Sequence, residues 1–241
     1  MQLKYGSLRL LKRLSKRDWL MLASGAAIVG LLWGLISWMD RPPTPLAAKK
    51  DSRVSIPWLP DTVKRWEDIF NEMGRKYNID PNLLAIITTL ESGGYTKAVS
   101  PADAQGLMQV TPPTAKDIAR KYLQEPRDSY DLTDPHTNIE FGAAYLAFLR
   151  DEFGEPSQGP SWDYTVELIA AGYNGGPGAA GKLYRGEGLT SSETVVYSRD
   201  AFNMWRERHA ETSPTFDRWL ERGGQRLIDQ AREEQEQSVQ Q

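Results

Sequence analysis

Asp80-Pro81-Asn82-Leu83-Leu84-Ala85-Ile86-Ile87-Thr88-Thr89-Leu90-Glu91-Ser92-Gly93-Gly94 carries its own start, face and stop. Asp80 suits a helix N-cap, Pro81 suits the first helical position, where its missing N–H costs nothing, and the glycine pair ends the helix. Leu83, Ile86, Ile87 and Leu90 recur at i, i+3, i+4 and i+7, the spacing that lays one apolar stripe against a core. Glu91 falls one turn after Ile87, on the flank of that stripe and in the last helical turn. Partial burial and the negative end of the helix dipole both disfavour a charged carboxylate there. A carboxyl group kept protonated near neutral pH is what a general acid requires. A lone glutamate at a helix end is ordinarily a solvated charge, so its chemistry has to be read with the rest of the chain.

Outward from that stretch the pattern stays helical. Trp66, Ile69, Phe70 and Met73 make one stripe. Asp134-Pro135 opens a helix with Ile139, Ala143, Leu146 and Phe153 facing inward, and Ser161 starts another. Thr190-x-x-Glu193 reads as a capping box for a further one. Turn residues separate them: Gly93-Gly94, Pro112-Pro113, Gly154-Glu155-Pro156 and Gly175-Gly176-Pro177-Gly178. No strand-like alternation of useful length and no repeat appear. The expectation is a mainly α domain over 61–210. Residues 211–241 form a polar tail, read from Asp217 as a solvated helix that frays, with no function assigned.

The N-terminal quarter is organised differently. Residues 1–18 carry six basic groups against Asp18, a balance of +5 that leaves −8 on the remainder of a chain whose net charge is −3. An acidic body argues against nucleic acid as a partner, since phosphate contacts need clustered Lys and Arg. Trp19 to Met39 holds no charged residue. Its length corresponds to roughly 30 Å of helix, enough to span a hydrocarbon core. The basic segment before it keeps the N-terminus in the cytoplasm and places the body outside. A cleaved signal peptide is the competing reading, but the run exceeds the usual apolar segment of about 7–15 residues. Residues 40–60, with five prolines, read as a semi-extended tether of up to roughly 60 Å. The chain has no cysteine, which excludes disulfides, thiolate catalysis and zinc-thiolate sites.

Three segments could place polar groups on glycine-rich turns at helix ends: Glu91-Ser92-Gly93-Gly94; Ser100-Pro101-Ala102-Asp103-Ala104-Gln105-Gly106-Leu107-Met108-Gln109; and Ala171-Gly172-Tyr173-Asn174-Gly175-Gly176-Pro177-Gly178. In that order and spacing they resemble the soluble lytic transglycosylase type of peptidoglycan-cleaving enzyme, which has a lysozyme-like α domain. Asp134-Pro135-x-x-Asn138-Ile139-x-x-Gly142-x-x-Tyr145-Leu146 and Glu193-Thr194 with Tyr197 also fit. The resemblance covers about residues 65–205. It implies Glu91 as the sole acid/base, with Tyr173 hydrogen-bonding and orienting it. Met108 and Gln109 would line the sugar groove, and Ser100 would sit near the muramyl sugar. Asn174 and Tyr197 would support or line the groove, and Ser92 would either hold the helix end or touch substrate. Asn138, Gly142 and Tyr145 are structural on this reading. Gly172 and Gly175 stand where the family commonly has alanine, an exchange expected to loosen that turn.

The resemblance also implies the reaction: cleavage of the bond between N-acetylmuramic acid and N-acetylglucosamine without water, leaving 1,6-anhydromuramyl ends. Ordinary glycosidases use two carboxylates, whereas only Glu91 has a match here. A lysozyme-like hydrolase in which Asp103 positions water is one rival; an inactive, tethered glycan-binding or assembly protein is another. No cofactor and no metal are expected, His136 and His209 standing in no ligand spacing. The partners are then peptidoglycan strands and the bacterial inner membrane, with the domain on the periplasmic side. Anchor and tether suit an enzyme serving an envelope-spanning machine and equally suit general wall turnover.

Overall fold

The computed structural model describes residues 53–123, 130–153 and 161–239. Along the chain run α1 (Asp61–Lys64), α2 (Glu67–Tyr77), α3 (Pro81–Ser92), α4 (Pro112–Ile118), α5 (Pro135–Phe153), α6 (Ser161–Gly175), α7 (Pro177–Tyr184), α8 (Ser192–Glu207), α9 (Pro214–Trp219) and α10 (Gln225–Val239). A wide helical turn extends α4 over Ala119–Leu123, and a kink at Gly223, in the left-handed region at φ 115°, joins α9 to α10 within Leu220–Gly224. The expected mainly α architecture is what forms. The basic segment 1–18, the anchor at 19–39 and the tether up to residue 52 lie outside the described residues. Among the described residues no helix is long and apolar enough to cross a membrane.

The start and stop of α3 follow the sequence closely. Asp80 accepts a hydrogen bond from the Asn82 N–H at 2.9 Å, Pro81 is the first helical residue, and Gly93 closes the helix in the left-handed region at φ 60°. Its packing goes further than the predicted stripe. Every residue of α3 except Glu91 is buried, because α1, α2, α5 and α8 surround it. A helix apolar all round belongs in the middle of a fold. Leu83, Leu84, Ile86 and Ile87 are fully enclosed, and burial of each contributes roughly 2 kcal/mol. The one position left at the surface of this central rod is its glutamate.

Two expectations about the flanks are corrected. The end of the assigned tether is part of the body: Ile56 and Leu59 are in the core, the Val54 and Ser55 N–H groups donate to Asn71 and Asn82 side chains, and Trp58 Nε1 donates to Glu207 O. The tail is docked rather than frayed, with Trp219, Ile228 and Ala231 buried. A helix with few apolar residues still buries them when they share one face, and its polar majority disguises that face. At α8 the capping residue is Ser191, which accepts from the Thr194 N–H at 3.2 Å, one position beyond the predicted Thr190.

Candidate active site

Glu91 sits in the last turn of α3, partly exposed, and its Oε1 accepts a hydrogen bond from the Tyr197 hydroxyl at 2.6 Å. Burial pushes the Glu91 carboxyl up to about 7, the Tyr197 hydrogen bond opposing that rise and the charge of Glu193 adding to it. Glu193 and Tyr197 stand at i and i+4 on α8, so one helix face presents both groups to the glutamate. Burial and the nearby Glu91 push the Tyr173 and Tyr197 hydroxyls well above the ordinary phenol value. Both therefore stay protonated and act as donors. A carboxyl group near pH 7 that keeps one fixed donor can both release and accept a proton at neutral pH.

The tyrosine expected to orient Glu91 is not the one bonded to it. Tyr173, from α6, donates its hydroxyl to Met108 O at 2.8 Å. Its ring stands 5.4 Å from that of Tyr145, whose hydroxyl donates to Gly172 O at 3.3 Å. Tyr173 thus ties the loop before α4 to α6, and Tyr197 takes the direct role. The reach of α8 across the helix end decides between them, and no local spacing reports that reach. The i, i+4 pairing of Glu193 with Tyr197 was the available signal.

The Gly106–Gln109 segment is a buttress. Met108 is fully buried, its side chain against Gly142, so it reaches no groove. Gln109, in the left-handed region at φ 48°, donates from Nε2 to Ala98 O at 3.1 Å and Gly106 O at 3.0 Å. Its amide pins its own loop. Ser92 is fully buried and donates to Leu107 O at 2.7 Å, which favours the structural of its two readings. Ser100 Oγ accepts from the N–H groups of Ala102 and Ala104, closing a turn. Val99, Gln105 and Val110 pair through isolated antiparallel bridges. Behind them Asn138 is fully buried: Oδ1 accepts from the Met108 N–H at 2.7 Å, and Nδ2 donates to Gln105 O and Leu132 O.

Asn174 lines a groove of about 480 Å³ with Gly178, Lys182, Thr190 and Glu193, beside the pair that acts on Glu91. Gly172 and Gly175 tighten this region. A Cβ on Gly172 would lie 2.8 Å from Leu149 Cδ2 and 3.0 Å from Ala180 Cβ, and one on Gly175 2.8 Å from Ala179 Cβ and from Thr194 Cγ2. Their absence lets α6 approach α5, α7 and α8, the reverse of the expected loosening. Asp103 is exposed, with Oδ1 accepting from Gln105 Nε2 at 3.0 Å; the carboxylate that acts on Glu91 is Glu193. Among the described residues no group of His, Asp and Glu is arranged to hold a metal ion.

A model of the transglycosylase SLT domain matches residues 68–194. Membrane-bound lytic murein transglycosylase E of Buchnera aphidicola is 34% identical over 125 residues, covering 51% of this chain and 55% of that protein. Membrane-bound lytic murein transglycosylase C of Actinobacillus pleuropneumoniae is 39% identical over 123 residues, 50% of this chain and 33% of that protein. The chain therefore spans only 33% to 55% of the length of these curated relatives. Among solved structures, lytic transglycosylase Slt of Pseudomonas aeruginosa superposes with a TM-score of 0.48 at 24% identity, over 61% of this chain and 25% of that one.

Proposed function

The chain belongs to the transglycosylase SLT-domain family, and from that premise we propose that it is a membrane-anchored peptidoglycan lytic transglycosylase with Glu91 as its acid and base. The observation that carries this reading is the partly buried Glu91 carboxyl, pushed up to about 7 and bonded to Tyr197 at 2.6 Å. In the first step Glu91 gives its proton to the glycosidic oxygen as the bond from the muramyl C1 to that oxygen breaks. The sugar's N-acetyl oxygen stabilises the positive charge at C1. In the second step the Glu91 carboxylate takes the proton of the C6 hydroxyl, whose oxygen bonds to C1. The glutamic acid is regenerated, no water is consumed, and a 1,6-anhydro ring closes with the advantage of an intramolecular attack.

With Oε1 accepting from Tyr197, Oε2 carries the transferred proton. Tyr197 limits the rise in proton affinity caused by burial, and Glu193 increases it; together they hold one group suitable for both steps. The apolar run at 19–39 and the names of the membrane-bound relatives support an anchored form, with the catalytic body on the periplasmic side.

Mass spectrometry of peptidoglycan digested by the chain tests the reading. Anhydromuramyl ends with wild type and none with Glu91→Gln are expected. Reducing ends would assign the hydrolase instead, and equal cleavage by Glu91→Gln would remove Glu91 from the chemistry. The pH profile adds a check with two opposite signs. Activity that needs protonated Glu91 falls about tenfold per unit above pH 7. Glu193→Gln removes a charge that raises Glu91 and shifts that limb to lower pH; Tyr197→Phe removes the bond that lowers it and shifts the limb to higher pH. Shifts in the same direction would contradict this electrostatic account.

A further inference from the structure

Residues 214–239 lie beyond the segment matched by the family model, yet they contact both the helix that bears Tyr197 and the turn that follows Glu91. On the Tyr197 side, Arg222 Nη2 donates to Asp200 Oδ2 at 2.5 Å, and Asp200 lies three residues past Tyr197 on α8. Glu207, the last residue of α8, accepts from the Thr215 N–H at 3.1 Å, from Thr215 Oγ1 at 2.9 Å and from Ser213 Oγ.

On the Glu91 side, α10 lies directly over the turn that ends α3. A Cβ on Gly93 would stand 3.1 Å from Ile228 Cδ1 and from Leu227 Cβ, so the absent side chain is what lets α10 close. Farther along, the Glu234 carboxylate accepts from the Thr96 N–H at 3.2 Å, from Thr96 Oγ1 and from Arg65 Nη2 at 3.2 Å. The same Arg65 nitrogen donates to Gly94 O at 3.3 Å, and Thr62 Oγ1 donates to Gly93 O at 2.7 Å. Glu234 is only 13% exposed, and both of its oxygens are engaged. A screened surface ion pair does little; a shielded, fully bonded carboxylate fixes what it touches. What it touches is Thr96, five residues after Glu91, and Arg65, which in turn holds Gly94 O.

We propose that residues 214–239 form a brace that sets the register of Glu91 against Tyr197, with Glu234 as the positioning residue on the Glu91 side. The proposal rests on the reading of Glu91 as acid and base. The two bonded residues are 106 positions apart on different helices. Glu91 is in a terminal turn, where helices fray unless the following backbone is held. A displacement of about 1 Å at such a pair lowers turnover on the order of a hundredfold. The brace holds the backbone after one partner and the helix bearing the other, so it acts on their separation rather than on substrate.

The test uses the full chain with Glu234→Ala, with Glu233→Ala, an exposed neighbour on α10, as the control. Two readouts are needed: kcat and KM on peptidoglycan, and the titration of the Glu91 carboxyl by carbon-13 NMR, its resonance identified with Glu91→Gln. The expected result for Glu234→Ala is a folded protein with kcat lower by about tenfold, KM within a factor of about two and a displaced Glu91 titration. Glu234→Gln, which keeps one acceptor oxygen for the Thr96 N–H and Arg65 and can donate to Thr96 Oγ1 instead of accepting from it, is expected to recover most of kcat, and Glu233→Ala to match wild type. Should Glu234→Ala not fold, Glu234→Asp, which withdraws the carboxylate by one methylene, carries the same readouts. A variant that folds with kcat and the Glu91 titration both unmoved overturns the brace while leaving the enzymatic reading intact. A displaced titration in a chain that does not cleave peptidoglycan supports the brace and removes the enzymatic reading.

Discussion

The turn that ends α3 is held from two sides by different chemistry. In front of it, residues 98–110 are fixed by directional bonds: Ser92 Oγ to Leu107 O, Gln109 Nε2 to Ala98 O, and three bonds of Asn138. Behind it, α10 is held by the apolar contact of Ile228 over Gly93 and by one carboxylate, Glu234. A buried bond network needs particular residue types at particular positions, so it leaves a motif that can be read from the chain. Apolar contact is met by any side chain of suitable size, and a glutamate in a polar helix is read as solvated. The two supports are comparable in the fold and unequal in legibility.

Breaking each support compares them directly. Asn138→Ala strands the Met108 N–H and two carbonyls, and is expected to cost about 4 kcal/mol in denaturant unfolding. Ile228→Ala removes a buried aliphatic side chain and is expected to cost about 3 kcal/mol. If Ile228→Ala proves neutral, the rear support is only a covering.

Between the supports, Glu91 itself is destabilising when charged. Its folded-state proton affinity is raised, so its own contribution to stability is most favourable below about pH 4.5 and is lost as pH rises through about 7. Glu91→Gln is therefore expected to raise stability by roughly 2 to 3 kcal/mol at pH 8, or roughly 5 to 10 °C in Tm, and to change it little at pH 4. A gain of equal size at both pH values would show that packing, not desolvation, is the cause. The smallest effect belongs to Thr88, whose buried hydroxyl has no hydrogen-bond partner among the described residues. Thr88→Val is expected to be neutral or to stabilise by about 1 kcal/mol in thermal unfolding; a loss of 2 kcal/mol or more would reveal a partner.

Much of the site could be read from the chain because its parts are local. Asp80, Pro81 and Gly93 satisfy or relieve backbone groups within four residues of themselves, and α3 has these bounds. The structural readings of Asn138, Gly142 and Tyr145 also match their places in the fold. The two tyrosines show where this stops. Tyr173 precedes its glycine turn and Tyr197 lies one helical turn past Glu193, and either hydroxyl could have been assigned to Glu91. The crossing of α8 over the end of α3 assigns it to Tyr197 and sends Tyr173 to Met108 O. Met108 likewise reads as a groove residue by motif and is a core residue by packing.

From sequence alone came the helical architecture, the family resemblance, and Glu91 as an acidic group where charge is disfavoured, since capping, periodicity and the helix dipole act over a few residues. Only the tertiary structure decided which tyrosine bonds Glu91, that Glu193 raises its proton affinity, and that the polar tail closes over the turn behind it. Those results depend on contacts between segments up to 169 residues apart, whose geometry is set by how whole helix faces pack and by no spacing along the chain.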